Sequence, residues 1–340
     1  MVLILIGDFI GMAGSSPLCP RETLMQRIAK LTGLIAILVA AISSHGLAQT
    51  SHLQPSHTDT VSAETFDHWM EEFSNWGRWG TDDELGMLNL ITPEKRIEAA
   101  SLVRSGVSVS LSRALRLGQR AAFQRGFDNI FAYGGPGLGE RAQWIEEQHQ
   151  IGYHGSPLTH LDALCHVAWN GLTYNGRPFE AIATETEGCT RNGVAPLKDG
   201  IVTRGILVDL PGANRVGIAD IESWERRTGI RIAQGDALFL RTGGSGGFHN
   251  SIMPFIRHRD IAMLIADGGV VDGGPIEGRT TLPMHMFTLV ALGMPLIDGV
   301  DLEALAGVAT QEKRWEFMFT VAPLPVDNGA GSAVNPVAIF

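Results

Sequence analysis

Two short, nearly uninterrupted apolar runs, Gly200–Leu210 (GIVTRGILVDL) and Asp236–Arg241 (DALFLR), limit this chain more than any other feature. Runs of this length, closed off by glycine or proline, read as strands buried on both faces. Between them Ala219–Thr228 (ADIESWERRT) places acids in its first turn and arginines in its last, the polarity a helix dipole favours. Strands that alternate with helices predict an α/β protein. Upstream, the pattern turns helical from Thr65 through Phe66–Trp76. Thr92-Pro93 sets a capping residue and an N1 proline ahead of a helix running to about Arg104, and Val107–Leu111 alternates as a strand.

A chain of 340 residues, 44% hydrophobic and 18% charged, can bury a large core. Its formal net charge of −10, with no cluster of Lys and Arg, excludes nucleic acid as a partner. Arg27 and Lys30, then the apolar stretch Leu31–Ser44, then Gly46-Leu47-Ala48 have the layout of a signal peptide cleaved before Gln49. The stretch is shorter than the roughly 20 apolar residues of a membrane span. Met25 precedes the basic residues and reads as the true start. Residues 1–48 are therefore expected to be an upstream extension and signal peptide, 49–64 a flexible leader, and 65–340 the functional domain. The mature protein is expected to be exported, periplasmic or secreted, with no stable membrane anchor. Export leaves Cys165 and Cys189, which can pair in an oxidising compartment. The preferred reading is two buried thiols acting as small apolar side chains.

The chemistry is concentrated in His154-Gly-Ser-Pro-Leu-Thr-His-Leu-Asp-Ala-Leu-Cys-His166. His160 and Asp162 lie two apart, on one side of an extended chain. Asp162 and His166 lie four apart, on one face of a helix. A change from extended to helical chain at Asp162 would bring all three side chains together. Imidazoles and a carboxylate are a donor set for Zn²⁺ or Mn²⁺. By spacing alone the alternative stays open: a polar loop in which Thr159 or Asp162 is only an N-cap.

Thr159, His160, Asp162 and His166, followed by Asn175-Gly176, resemble the H-x-G-T-H-x-D-x-x-x-H pattern of the cyclase family of metal-dependent hydrolases. That family includes bacterial kynurenine formamidase and isatin hydrolase. The resemblance extends over roughly residues 70–340, through Trp76–Asn89, Gly235–Gly243, Pro283-Met284-His285 and Gly293–Leu302. It implies a swivelling β/β/α fold, a mixed sheet with flanking helices. It also implies hydrolysis of an amide, lactam or ester of a small substrate by a metal-activated water, with Zn²⁺ or Mn²⁺ as cofactor. By the same resemblance His160 and Asp162 are metal ligands, His166 is a second-metal ligand or the base, and His285 and Asp298 are further ligands. A homodimer or homotetramer is implied as well. The family's first histidine is replaced here by Ser156. His154, two residues earlier, can substitute for it; otherwise His285 and Asp298 complete the site, or the metal is lost.

Trp76, Trp79 and Ser156 are the candidate substrate contacts. Packing in the core or a lid is an equal reading for the two tryptophans. Gly243–Gly247 (GGSGG) matches the nucleophile-elbow pattern around Ser245, yet no clear helix follows it, so it reads as a glycine-rich loop. His249 and His258 read as structural, and Asp82, Asp83 and Glu84 as a solvated turn. Two functions remain: a metal-dependent hydrolase, or an exported protein that binds a small molecule on the same fold without catalysis.

Overall fold

The computed structural model describes residues 60–116, 127–134, 144–154, 158–244, 246–268, 276–277 and 282–340. All belong to the unit Gln54–Phe340. The expected signal peptide, the leader up to residue 59, Ser156, Ser245 and most of the glycine-rich Gly134–Gly139 lie outside the described residues. Among the described residues no helix is long and apolar enough to cross a membrane.

The centre is a nine-stranded mixed sheet. In chain order its strands are β1 (Ser108–Ser110), β2 (His160–Asp162), β3 (Ile201–Asp209), β4 (Ala237–Arg241), β5 (Met263–Ala266), β6 (Leu296–Asp298), β7 (Glu316–Val321), β8 (Gly331–Ala333) and β9 (Val337–Ile339). Their spatial order is β1-β9-β7-β3-β4-β5-β6-β2-β8. The neighbours β3, β4, β5 and β6 run parallel, and antiparallel strands flank them on both sides.

Both expected strands are present as β3 and β4, and β4 shows why its sequence is apolar throughout. Leu238 and Leu240 point into one core while Ala237 and Phe239 point into the other. A strand covered on both faces has no solvent side on which to place polar residues. One core receives Ile221 and Trp224 from helix α3 (Ile218–Thr228), the crossover between β3 and β4. In the opposite core Phe239 meets Phe317 and Phe319 of β7 at ring separations of 5.3 and 5.0 Å. Helix α3 ends at Gly229, a left-handed residue with φ 73°, the usual stop for a helix.

The first helix among the described residues, α1 (Ala63–Glu72), begins two residues before the expected Thr65 because the Ser62 side chain accepts the Thr65 N–H. Helix α2 (Pro93–Ser101) is capped by Thr92 as expected, and ends three residues short of Arg104. Outside the sheet, Phe127–Gly134 and Trp144–Ile151 form an antiparallel ribbon. Ile130, Phe131, Trp144 and Ile145 are exposed on it. Its second strand leads through Gly152 and Tyr153 to His154.

Glycines allow a close backbone approach between Gly86 and Gly293. The Met87 N–H donates to Gly293 O at 2.8 Å, and a Cβ on Gly86 would stand 1.8 Å from that oxygen. Gly293 has φ +67°, and a Cβ there would lie 2.5 Å from the Tyr174 ring. Gly307, by contrast, is exposed within helix α4 (Glu303–Glu312) with nothing within 4 Å of an added Cβ. Urea denaturation should therefore separate the two. Gly293→Ala is expected to lose about 2–4 kcal/mol through strain and overlap, and Gly307→Ala to gain roughly 0.5–1 kcal/mol from helix propensity.

Candidate metal centre

Strand β2 lies between β6 and β8, and its register builds the site. His160 is paired with Asp298 across β6, and Asp162 with Gly331 across β8. Residues directly opposite in a ladder share a face, so His160, Asp162 and Asp298 project together. Leu161 and Ile297, which alternate with them, enter the hydrophobic core behind. Gly331, opposite Asp162, makes room for His154: a Cβ there would lie 3.1 Å from the His154 ring.

The donor atoms converge on Asp162, which is 1% exposed. His154 Nδ1 lies 3.0 Å and His160 Nε2 3.5 Å from Asp162 Oδ1. His285 Nε2 lies 3.6 Å from Asp162 Oδ2 and 3.2 Å from Asp298 Oδ2. Two groups of possible ligands result, His154–His160–Asp162 and Asp162–His285–Asp298. Tetrahedral bonds of about 2.0–2.2 Å to one ion put its donors roughly 3.3–3.6 Å apart; the contacts here span 3.0–3.6 Å, and the donors of each group all lie within 4.8 Å of one another. The chemistry agrees: two carboxyl groups buried together suit a divalent cation.

His160 is further oriented by Nδ1, which lies 2.6 Å from Leu158 O. A carbonyl only accepts, so Nδ1 carries a proton and Nε2 is the ring nitrogen turned towards Asp162. Burial alone would raise the Asp162 carboxyl. The His154 hydrogen bond and the charges of His160, His166 and His285 outweigh it and hold that carboxyl well below the usual range.

The expected helix at Asp162–His166 is not formed. Ala163 N continues the ladder to Ala330 O, and the His166 N–H closes a turn onto Ala163 O at 3.0 Å. That turn brings the His166 ring parallel to His154, with centroids 4.0 Å apart and an interplanar angle of 10°. Burial pushes the His166 imidazole down to about 4, against the pull of Asp162. Cys165, within the turn, is disulfide-bonded to Cys189, with Cα atoms 6.2 Å apart. The reading of two separate apolar thiols is thereby corrected. A cross-link over 24 positions constrains the unfolded chain by roughly 3 kcal/mol.

His285 ends the short helical segment Pro283–His285, which continues as a π-helix over Met286–Leu292. The last carbonyls of this helix are met by Asn75 and Trp76, at the start of the Trp76–Asn89 region. The Asn75 N–H donates to Ala291 O, Asn75 Nδ2 to Leu292 O, and Trp76 Nε1 to Val290 O at 2.7 Å. Such carbonyls lack partners within the helix and need them elsewhere. Trp79 lies under the Arg78 guanidinium, 4.6 Å from its ring centre, and packs on the core. Both tryptophans thus occupy the packing role that was the equal alternative to substrate contact. Asn175, left-handed at φ 61°, accepts from Gly77 N and donates to Gly80 O and Asp83 O.

Asp83 and Glu84 correct the reading of a solvated turn. Asp83 accepts from Gly86 N, Asn89 Nδ2 and the Tyr174 hydroxyl. Glu84 pairs with Arg191 and accepts from Asn192 N. Asp82 alone is fully exposed. The glycine-rich loop around Ser245 wraps a carboxylate: the backbone N–H groups of Thr242, Gly243 and Gly244 donate to Asp267. A strand, Gly247–Phe248, follows in place of the helix a nucleophile elbow requires. His249 caps a 3₁₀ turn and His258 meets the Phe73 ring edge-on, so both are structural.

Tyr153 was missed from sequence. Its ring lies 4.6 Å from His154 and 5.5 Å from His160. The available signal was an aromatic residue directly before His154.

The cyclase family model matches residues 95–273. This chain belongs to the cyclase family. A crystal structure described as a novel cyclase is similar at 27% identity and a TM-score of 0.70, covering 79% of this chain and all of the other. It shares the mixed sheet with flanking helices. Isatin hydrolase A from Labrenzia aggregata aligns at 17% identity over 71% of this chain and 94% of its own, TM-score 0.47. A predicted metal-dependent hydrolase from Bacillus stearothermophilus aligns at 15% identity over 69% and 98%, TM-score 0.45. No curated protein matches the chain in sequence.

The segment that caps the π-helix is fastened at its outer end by Arg78, which forms a two-pronged pair with Asp260 at 2.8 Å for each contact. Burial would raise the Asp260 carboxyl, but the Arg78 hydrogen bond and charge prevail and lower it. A carboxyl lowered on folding adds stability above its unfolded value of about 3.9, lost as pH falls through the folded one. Asp260→Asn, which tolerates the left-handed backbone at this position (φ 50°), is expected to cost about 1–2 kcal/mol at neutral pH. In thermal melts the gap between the two proteins should close below about pH 4.

Proposed function

We propose that the protein is a metal-dependent hydrolase that opens an amide, lactam or ester bond of a small substrate. The observation that carries this reading is the convergence of His154, His160, His285 and Asp298 on the buried Asp162 carboxylate. A divalent cation held there, Zn²⁺ or Mn²⁺, would supply an acidified water and a polarised carbonyl. His154, His160 and Asp162 would hold it, with His154 supplying the imidazole that the family pattern places at Ser156. Asp298 and His285 share Asp162 from the other side, and are the ligands of a second ion if one binds.

His166 is the proton carrier in this reading. It belongs to neither group of converging donors among the described residues, yet its ring lies flat against that of His154. From there it can take a proton from the attacking water and return it to the leaving nitrogen or oxygen. General acid–base catalysis of this kind is worth about 10²–10⁴-fold.

Export is proposed alongside, supported by the Cys165–Cys189 bond, since disulfides persist in oxidising compartments. The substrate panel for a test includes N-formylkynurenine, isatin and a simple aryl ester. Turnover of at least one should cease with a chelator and return with Zn²⁺ or Mn²⁺. His154→Ala should lose the metal. His166→Ala should keep it while kcat falls by about 10²–10⁴-fold. A protein that retains metal but turns over nothing on the panel is the non-catalytic binding protein instead. Full metal retention in His154→Ala removes that residue from the ligand set.

A further inference from the structure

The donors His160 and Asp162 are buried, whereas Tyr153 beside them is only half-buried. Its ring meets His154 at an interplanar angle of 55° and His160 at 35°. One aromatic ring therefore borders two of the three donors of the first ligand group, on the side of the site that retains solvent access. The tryptophans that the sequence offered as an aromatic wall are engaged elsewhere, Trp76 on Val290 O and Trp79 beneath Arg78.

We propose that Tyr153 is the specificity-determining residue of the site, a wall against which the flat, unsaturated part of a substrate packs while its carbonyl faces the His154–His160–Asp162 group. The assignment rests on the hydrolase reading for its catalytic meaning, but the ring preference itself is a binding property. Aromatic rings attract one another in offset or edge-on arrangements at centroid separations of about 4.5–7 Å, beyond what their buried area provides. A saturated ring of the same size is puckered and lacks the π-face, so it loses this contact and keeps only the area.

Benzoate and cyclohexanecarboxylate are suitable probes. Each is a carboxylate of the kind that hydrolysis of an amide or ester releases, and they differ mainly in flatness. Calorimetric titration of the metal-loaded protein is expected to show benzoate bound roughly 3–10-fold more tightly. Tyr153→Phe should keep that preference. Tyr153→Leu should bring the two affinities to within about twofold while metal content stays at the wild-type level. Tyr153→Met, which fills similar space without a ring, serves the same purpose if the leucine variant does not fold.

A preference unchanged in the leucine or methionine variant overturns the assignment. So does an equal loss of affinity for both probes accompanied by loss of metal, which would make Tyr153 a support for His154 alone. If the wild-type protein binds the probes with the expected preference yet hydrolyses nothing, the hydrolase reading fails and the wall remains.

Discussion

A carboxylate almost wholly removed from water is the constraint around which this molecule is arranged. Asp162 is 1% exposed, and an ionised carboxylate in such a place is destabilising by several kcal/mol unless surrounded by compensating groups. The surroundings come from five parts of the structure, three of them within the stretch His154–His166. His154 arrives from the exposed ribbon, His160 from the same strand, His166 from the following turn, His285 from a helix end, and Asp298 from the neighbouring strand. The second carboxylate increases the demand for positive charge. His154 beside Asp162 and His285 beside Asp298 reduce it, and a divalent cation would meet the remainder.

The rest of the fold holds those five parts in place. The parallel strands β3 to β6, buried on both faces, form the rigid element, and Asp298 stands at the last residue of one of them. Strand β2 is fixed by ladders on both sides, so a shift in register would turn His160 and Asp162 towards the core behind. The Trp76–Asn89 segment acts at a distance. It caps the π-helix that follows His285, and is itself locked by Tyr174, Asn175 and Gly293. The disulfide performs the same service for the turn that carries His166.

Strand β4, helix α3 and the caps at Thr92 and Gly229 were legible in the sequence because each follows from local rules: apolar runs, dipole polarity, and side chains that suit a helix end. The core of the site was legible too, since His160 and Asp162 need only the alternation of an extended chain. What escaped was non-local. The turn at His166 depends on bonds to Ala163 and a cross-link to Cys189, and no i, i+4 pattern distinguishes it from a helix. Asp83 and Glu84 look like a polar turn until Tyr174 and Arg191, about a hundred positions away, are brought beside them. Trp76 and Trp79 suggested a ligand pocket on residue type alone. Their actual partners are a helix end and an arginine, which only the tertiary structure supplies. The distance from His154 to Asp162 could be proposed from chain direction, but whether the intervening segment allowed it was a question of packing.

The central claim, that His154 replaces the histidine absent at position 156, is tested most directly by diffraction from crystals of the zinc- or manganese-loaded protein at the absorption edge of that metal. An anomalous peak bonded to His154, His160 and Asp162 is expected. A peak whose ligands omit His154, or no peak beside Asp162 in fully loaded protein, would contradict it.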